Sequence, residues 1–256
     1  MSVRRLWSRD ELLLAFRLYC RTPFGKLHQH NPEIIDLAGL IHRTPSAIAM
    51  KACNFASLDP VQRTRNIAAL RNASRADRSL WKEFRNDPEA IASEAEQAFS
   101  LLNDQDVEAE EQRWQIPKGP TEIERVVRGR RVQHFFRASV LACYELQCAL
   151  SGISIVELLN ASHIIPWSVD VQRRADPTNG ICLNTLYDRA FDRGFITFDE
   201  AFRVVISPCL RMTSPDSMHQ ELLVDIEGRK LEFPSRFGPD QAALTYHREH
   251  IFRSTA

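Results

Sequence analysis

Leu158-Leu159-Asn160-Ala161-Ser162-His163-Ile164-Ile165-Pro166-Trp167 is a short apolar run that delivers a single histidine and is stopped by proline. A polar loop containing Arg173 and Arg174 then leads to Asp176-Pro177-Thr178-Asn179-Gly180-Ile181-Cys182-Leu183, a turn followed by a second short strand. Asn184-Thr185-Leu186-Tyr187-Asp188-Arg189-Ala190-Phe191-Asp192 then reads as a helix closed by Arg193-Gly194. Strand, loop, strand and helix, presenting His, Asn and Asp in that order, predict a ββα unit.

The residue types in this unit suit hydrolysis of a phosphodiester. In-line attack needs a base to deprotonate water, and a neutral imidazole is the side chain poised for that near pH 7. It also needs a cation on the phosphate and leaving oxygen, and hard oxygen ligands suit Mg²⁺, which often takes only one or two protein carboxylates. Asp188 and Asp192 stand at i and i+4 on one helix face and repel unless a cation lies near them. Arg189 can pair with Asp192 in a purely structural reading, which leaves Asp188 without a partner. Asn179, in its turn, is placed to bridge loop backbone groups and to fix the strand that carries His163.

The charge of the 256-residue chain is zero, with 33 Lys+Arg against 33 Asp+Glu, which taken as an average argues against a nucleic-acid binder. The average hides a division. Residues 1–78 carry a net +7, residues 79–124 a net −8 and residues 125–256 a net +1. Basic residues are mostly arginine, which suits bidentate contact with phosphate and equally suits a GC-rich coding sequence. Hydrophobic content of 44% and charged content of 26% exclude a disordered or collagen-like chain. No stretch approaches the length of an apolar membrane span and the first residues lack an apolar signal core, so a cytoplasmic protein without membrane contact is expected. Six cysteines without a CxxC pair signal neither a disulfide framework nor a zinc ribbon.

Residues 1–78 predict three helices. Ser8 precedes Arg9 to Tyr19, Asn31-Pro32 opens Glu33 to Ile41, and Thr44 or Ser46 precedes Ala47 to Phe55. The last two, joined by His42-Arg43-Thr44-Pro45, match a helix-turn-helix layout, with Arg43 and Lys51 as candidate DNA contacts; a small helical dimerisation bundle has the same pattern. Residues 79–124 read as an acidic helical linker. From residue 125 onward, Arg125, Arg128, Arg130, Arg131 and Arg137 alternate with apolar residues, a pattern that a plain amphipathic helix shares; Arg130, Arg131 and Arg137 join Arg173, Arg174 and Arg189 as candidate phosphate contacts.

Ala161-Ser162-His163-Ile164-Ile165-Pro166-Trp167, Asn179-Gly180 and Asp188-Arg189-Ala190-Phe191-Asp192-Arg193-Gly194 closely resemble the HNH endonucleases of the ββα-metal superfamily, in the subgroup with an (A/S)HIIPW motif. The segment from Phe135 to Gly152, the closing Tyr246 to Phe252, and the N-terminal run from Trp7 to Pro60 are similar to HNH restriction endonucleases with a leading helix-turn-helix-like domain. The resemblance implies an α+β fold, with a helical N-terminal domain (1–78), the linker (79–124) and an HNH nuclease domain (125–256). It implies His163 as general base, Asn179 as the supporting residue and Asp188 as ligand of Mg²⁺ or Mn²⁺. Ser162 and Tyr187 depart from the family pattern, so the metal is held by Asp188 alone, by Asp188 with Asp192, or through water. No structural zinc is expected. The implied substrate is double-stranded DNA, cut by a homodimer because one HNH unit cuts one strand, and the implied role is restriction or defence. A DNA-binding protein with a decayed HNH unit and a partner-activated nuclease are the alternatives.

Overall fold

The computed structural model describes residues 5–64, 73–103, 120–212 and 217–255. The chain divides into two compact units, Met1–Ser139 and Val140–Ala256.

The first unit is helical: α1 (Arg9–Arg21), α2 (Pro32–Leu40), α3 (Pro45–Ala56), α4 (Pro60–Thr64), α5 (Arg75–Asn86), α6 (Pro88–Asn103) and most of α7 (Pro120–Cys143). The predicted starts carry real caps. The Ser8 side chain accepts from the Glu11 backbone N–H while the Glu11 carboxylate accepts from that of Ser8, Asn31 caps α2 and Thr44 caps α3. Helix α1 is buried on almost every side because α3, α5 and α6 all pack on it. At its centre Phe16 meets Phe84 and Phe55 edge-on, with ring centroids 4.8 and 5.2 Å apart. Most of α5 and all of α6 fall in the stretch expected as an acidic linker, yet they are part of this core. Their acids face partners from α1: Glu83 and Glu94 pair with Arg9 at 2.8 Å each, and Glu96 is bonded in a buried fork by Arg17 at 2.8 and 3.0 Å. The compact unit therefore runs on to residue 139, past both boundaries expected at 78 and 124.

The second unit opens with the end of α7 and holds two antiparallel two-stranded sheets. In the first, β1 (Leu159–His163) pairs with β2 (Gly180–Asn184) in a register that sets Leu159 opposite Asn184 and His163 opposite Gly180. Helix α8 (Thr185–Asp192) follows β2 at once, capped by the Asn184 side chain, which accepts from the Tyr187 N–H. This is the ββα unit, in an α+β fold. The second sheet, β3 (Ile196–Phe198) with β4 (Val204–Ile206), is followed by α9 (Pro208–Met212), α10 (Ser217–His219) and a π-helical turn at Gln220–Val224. Helix α11 (Gln241–His250) packs on β3.

His247 of α11 fastens this arrangement. Its ring stacks on Phe191 at 3.8 Å, its Nε2–H donates to the Phe191 carbonyl at 3.1 Å, and Nδ1 accepts from the Thr197 hydroxyl at 2.9 Å. One bond reaches the end of α8 and the other reaches β3. Burial holds the imidazole pKa down at about 4, against a usual value near 6.5. The unfolded chain thus takes up the proton below pH 6.5 while the folded one resists it to about pH 4, so stability falls as pH drops through that window. Lowering the pH from 7 to 5 is expected to remove about 2 kcal/mol through this residue. Denaturant titrations at the two pH values check it: His247→Gln, less stable at pH 7, should lack that part of the decline.

Among the described residues no helix is long and apolar enough to cross a membrane, and none of the six cysteines forms a disulfide.

Candidate active site

His163 ends β1, half-buried, and its Nε2–H donates to the Arg174 carbonyl at 3.1 Å. Because a carbonyl only accepts, this bond holds the neutral tautomer in which Nδ1 carries the lone pair. Burial lowers the imidazole pKa; the Arg174 carbonyl pulls it back up, the Arg174 charge lowers it, and the Asp188 charge raises it. The result is a histidine that stays neutral at pH 7, in the field of the carboxylate the sequence singled out.

Asn179 clamps the loop that follows His163. Fully buried in a 3₁₀ turn (Pro177–Asn179), it accepts from the Ile165 N–H at 2.9 Å and donates to the Ile165 carbonyl at 3.0 Å, while its own carbonyl accepts from the Ile164 N–H at 2.9 Å. Its amide also reaches the carbonyl of Arg173 at 3.4 Å. Both ends of the loop that starts at His163 are therefore tied to one side chain. Asn179→Ala would leave the buried Ile165 amide and carbonyl without these partners. It should lower the stability of this unit by about 2 kcal/mol in a thermal melt.

On α8, Asp188 is half-buried and its Oδ2 accepts from the Asn160 amide of β1 at 2.8 Å. Asp192 follows one turn later at the surface. Its carboxyl pKa is pushed up to about 6, first by surrounding protein atoms and then by the Asp188 charge, which Arg189 and Arg193 offset in part. Two carboxylates in each other's field, with an amide orienting one of them, fit a hard divalent cation that takes few protein ligands. Among the described residues no group of three or more His, Cys, Asp or Glu converges to hold a metal ion.

Asn160 was not singled out from the sequence, and its signal was slight: one amide inside the run Leu-Leu-Asn-Ala-Ser. Ser162, which departs from the family pattern, is buried, and among the described residues its hydroxyl has no hydrogen-bond partner. Tyr187 is buried too. Arg174 does reach the site. Its Nε–H donates to the Trp167 carbonyl at 2.8 Å and its guanidinium lies over the Trp167 ring at 4.8 Å, while the same ring meets His163 edge-on at 5.7 Å. Arg189 is exposed on α8 beside Asp192. Arg173 is tied into the loop by Asp240 at 3.0 Å and Asp170 at 3.8 Å.

Residues 148–199 match the family of HNH endonucleases. This span forms an HNH endonuclease domain. It covers the ββα unit with His163, Asn179, Asp188 and Asp192, and extends to Asp199 after β3. No curated protein matches the chain. HNH domains belong to nucleases acting on DNA, and HNH nucleases generally use divalent metal ions.

The remaining candidates fall outside the HNH domain, in the first unit. Arg130, Arg131 and Arg137 lie half-buried on α7. Arg43 is spoken for: its guanidinium grips the Glu11 carboxylate at 2.7 and 3.1 Å and stacks over Trp7 at 4.1 Å. Lys51 is buried, paired with Asp77 at 2.8 Å and also set over Trp7. The DNA contacts expected of Arg43 and Lys51 thus fall on two side chains already engaged within the first unit.

Proposed function

We propose that the chain is a metal-dependent endonuclease that hydrolyses phosphodiester bonds of duplex DNA and serves in restriction or defence. The observation that carries the catalytic part is the held tautomer of His163: a neutral imidazole with Nδ1 as its basic nitrogen, beside Asp188. In this reading Nδ1 takes a proton from water as the water oxygen bonds to phosphorus, and the ester oxygen leaves on the opposite side and is protonated from solvent. Asp188, oriented by Asn160, would hold Mg²⁺ or Mn²⁺, with Asp192 as a second oxygen donor. When bound, the ion supplies charge neutralisation at the phosphate and leaving oxygen. Asn179 keeps the loop after His163 in place, and Arg174 and Arg189 bring positive charge to the substrate backbone. The restriction role is supported by the sequence resemblance.

One HNH domain holds one such site, so cutting both strands calls for two copies related by a two-fold axis. Plasmid and phage DNA, modified and unmodified, incubated with Mg²⁺ or Mn²⁺ and sequenced at the ends, test the whole reading. Metal-dependent nicks or breaks that EDTA stops are the expected result, with a dimer by light scattering at working concentration. Intact DNA of every kind would favour a binding protein with a decayed site.

A further inference from the structure

Helix α3, the recognition helix of the expected helix-turn-helix layout, has one charged residue, Lys51, and that one is buried against Asp77. Its exposed residues are Ser46 and Met50. A helix without an available cation or a polar fork is poorly equipped to meet phosphates or base edges.

Helix α5 is the opposite case. Arg75, Arg78, Lys82 and Arg85 are all exposed, and their spacing of three, four and three residues places them along one side of the helix. Among the described residues none of the four has an ion-pair or hydrogen-bond partner for its side chain, whereas both acids within α5 are occupied. Asp77 is buried, bonded to Lys51 and to the Asn54 amide, and closes the capping box with Ser74. Glu83 is held by Arg9 and by the Ser79 hydroxyl. Asp87, just past the helix, caps α6 through the Ala90 N–H. The stripe thus keeps three consecutive like-charge neighbours at i,i+3 and i,i+4, a repulsive arrangement that a polyanion relieves.

We propose that this stripe is a docking surface for the sugar-phosphate backbone of duplex DNA, which shifts the DNA contact of the first unit from α3 to α5. Ten residues of helix span about 15 Å. At about 3.4 Å of axis per phosphate on one strand, that length meets roughly four phosphates. A membrane surface is a poor alternative, because the apolar side of α5 is committed to the core: Leu80 and Phe84 are buried and Trp81 packs edge-on against Phe16, leaving no apolar face to insert. The choice of duplex DNA rests on the nuclease reading above; the anionic character of the partner rests on α5 alone.

The test is fluorescence anisotropy of a labelled 30-bp duplex with the full chain, in EDTA so that cleavage plays no part, over a salt series. The variant Arg75→Gln/Arg78→Gln/Lys82→Gln/Arg85→Gln should weaken binding about 10²–10³-fold near 0.15 M salt, and its plot of log K against log salt should be shallower by about 3–4. Glutamine suits an exposed helix, and an unchanged melting curve confirms that the fold is kept. Met50→Asp on α3 should change affinity less than threefold. Unchanged affinity and slope in the quadruple variant would overturn the proposal, as would loss of binding in Met50→Asp alone, or tighter binding of single-stranded RNA than of the duplex. Cleavage is read separately with Mg²⁺. Cutting with no effect of the stripe on binding sinks the docking surface and leaves the nuclease; stripe-dependent binding without cutting does the reverse.

Discussion

His163→Ala is expected to lower DNA strand cleavage by about 10²–10⁴-fold, the usual contribution of a positioned general base, with duplex affinity in EDTA unchanged. The expectation follows from the proton inventory of the ring. Nε2 spends its hydrogen on the Arg174 carbonyl at 3.1 Å, so Nδ1 is the nitrogen able to receive one, and burial keeps it unprotonated at neutral pH. The side chain is half-buried at the end of a strand, so its truncation removes the base without opening the core. Single-turnover assays with Mg²⁺ on supercoiled plasmid, run beside a melting curve, separate a lost base from a lost fold. Cleavage at the wild-type rate by a folded His163→Ala protein would remove this residue from the mechanism.

The second large effect is on stability. Gly194 ends α8 at φ +70°, in a Schellman closure where its N–H donates to the Phe191 carbonyl at 2.8 Å and the Phe195 N–H to that of Ala190 at 2.8 Å. A Cβ added there would stand 2.1 Å from the backbone oxygen of Ile251, and the Gly194 carbonyl accepts from the Arg253 N–H at 3.0 Å. Backbone presses on backbone, so no side-chain rotation relieves the contact. Gly194→Ala is therefore expected to destabilise the HNH-bearing unit by about 3–5 kcal/mol, from a strained left-handed residue plus displacement of the C-terminal segment. In a melt this is a drop of roughly 12–20 °C for a unit of this size. Since α8 carries Asp188 and Asp192, cleavage should fall with it. Gly39→Ala is the control: the site is helical with nothing within 4 Å, and the change should stabilise by about 0.5–1 kcal/mol. Equal melting of Gly194→Ala and wild type would refute the packing argument.

The ββα unit, with His163, Asn179 and Asp188 in order along it, is legible in the sequence. The signals are local: the apolar run before Pro166 makes a strand, Asp176-Pro177-Thr178-Asn179-Gly180 turns the chain, and Asn184 to Asp192 gives a helix that Arg193-Gly194 closes. Each acts within a few residues, so each is legible without a partner, and the same holds for the caps at Ser8, Asn31 and Thr44. Even the role of Asn179 as a backbone clamp follows from an amide placed in a turn next to a strand. Which charged and polar groups are left to meet another molecule emerges only from the packing of distant segments. Glu11 and Arg43 are 32 positions apart, Lys51 and Asp77 are 26 apart, and Arg17 and Glu96 are 79 apart. No period or spacing in the chain announces those pairs. Burial joined them, because a charge taken out of water must find its opposite, and so the arginine and lysine that looked available on α3 and its turn were consumed while those on α5 were not. Asn160 against Asp188, and His247 between α8 and β3, arise the same way: contacts between elements, set by how the layers pack, and therefore absent from any local reading of the residues that make them.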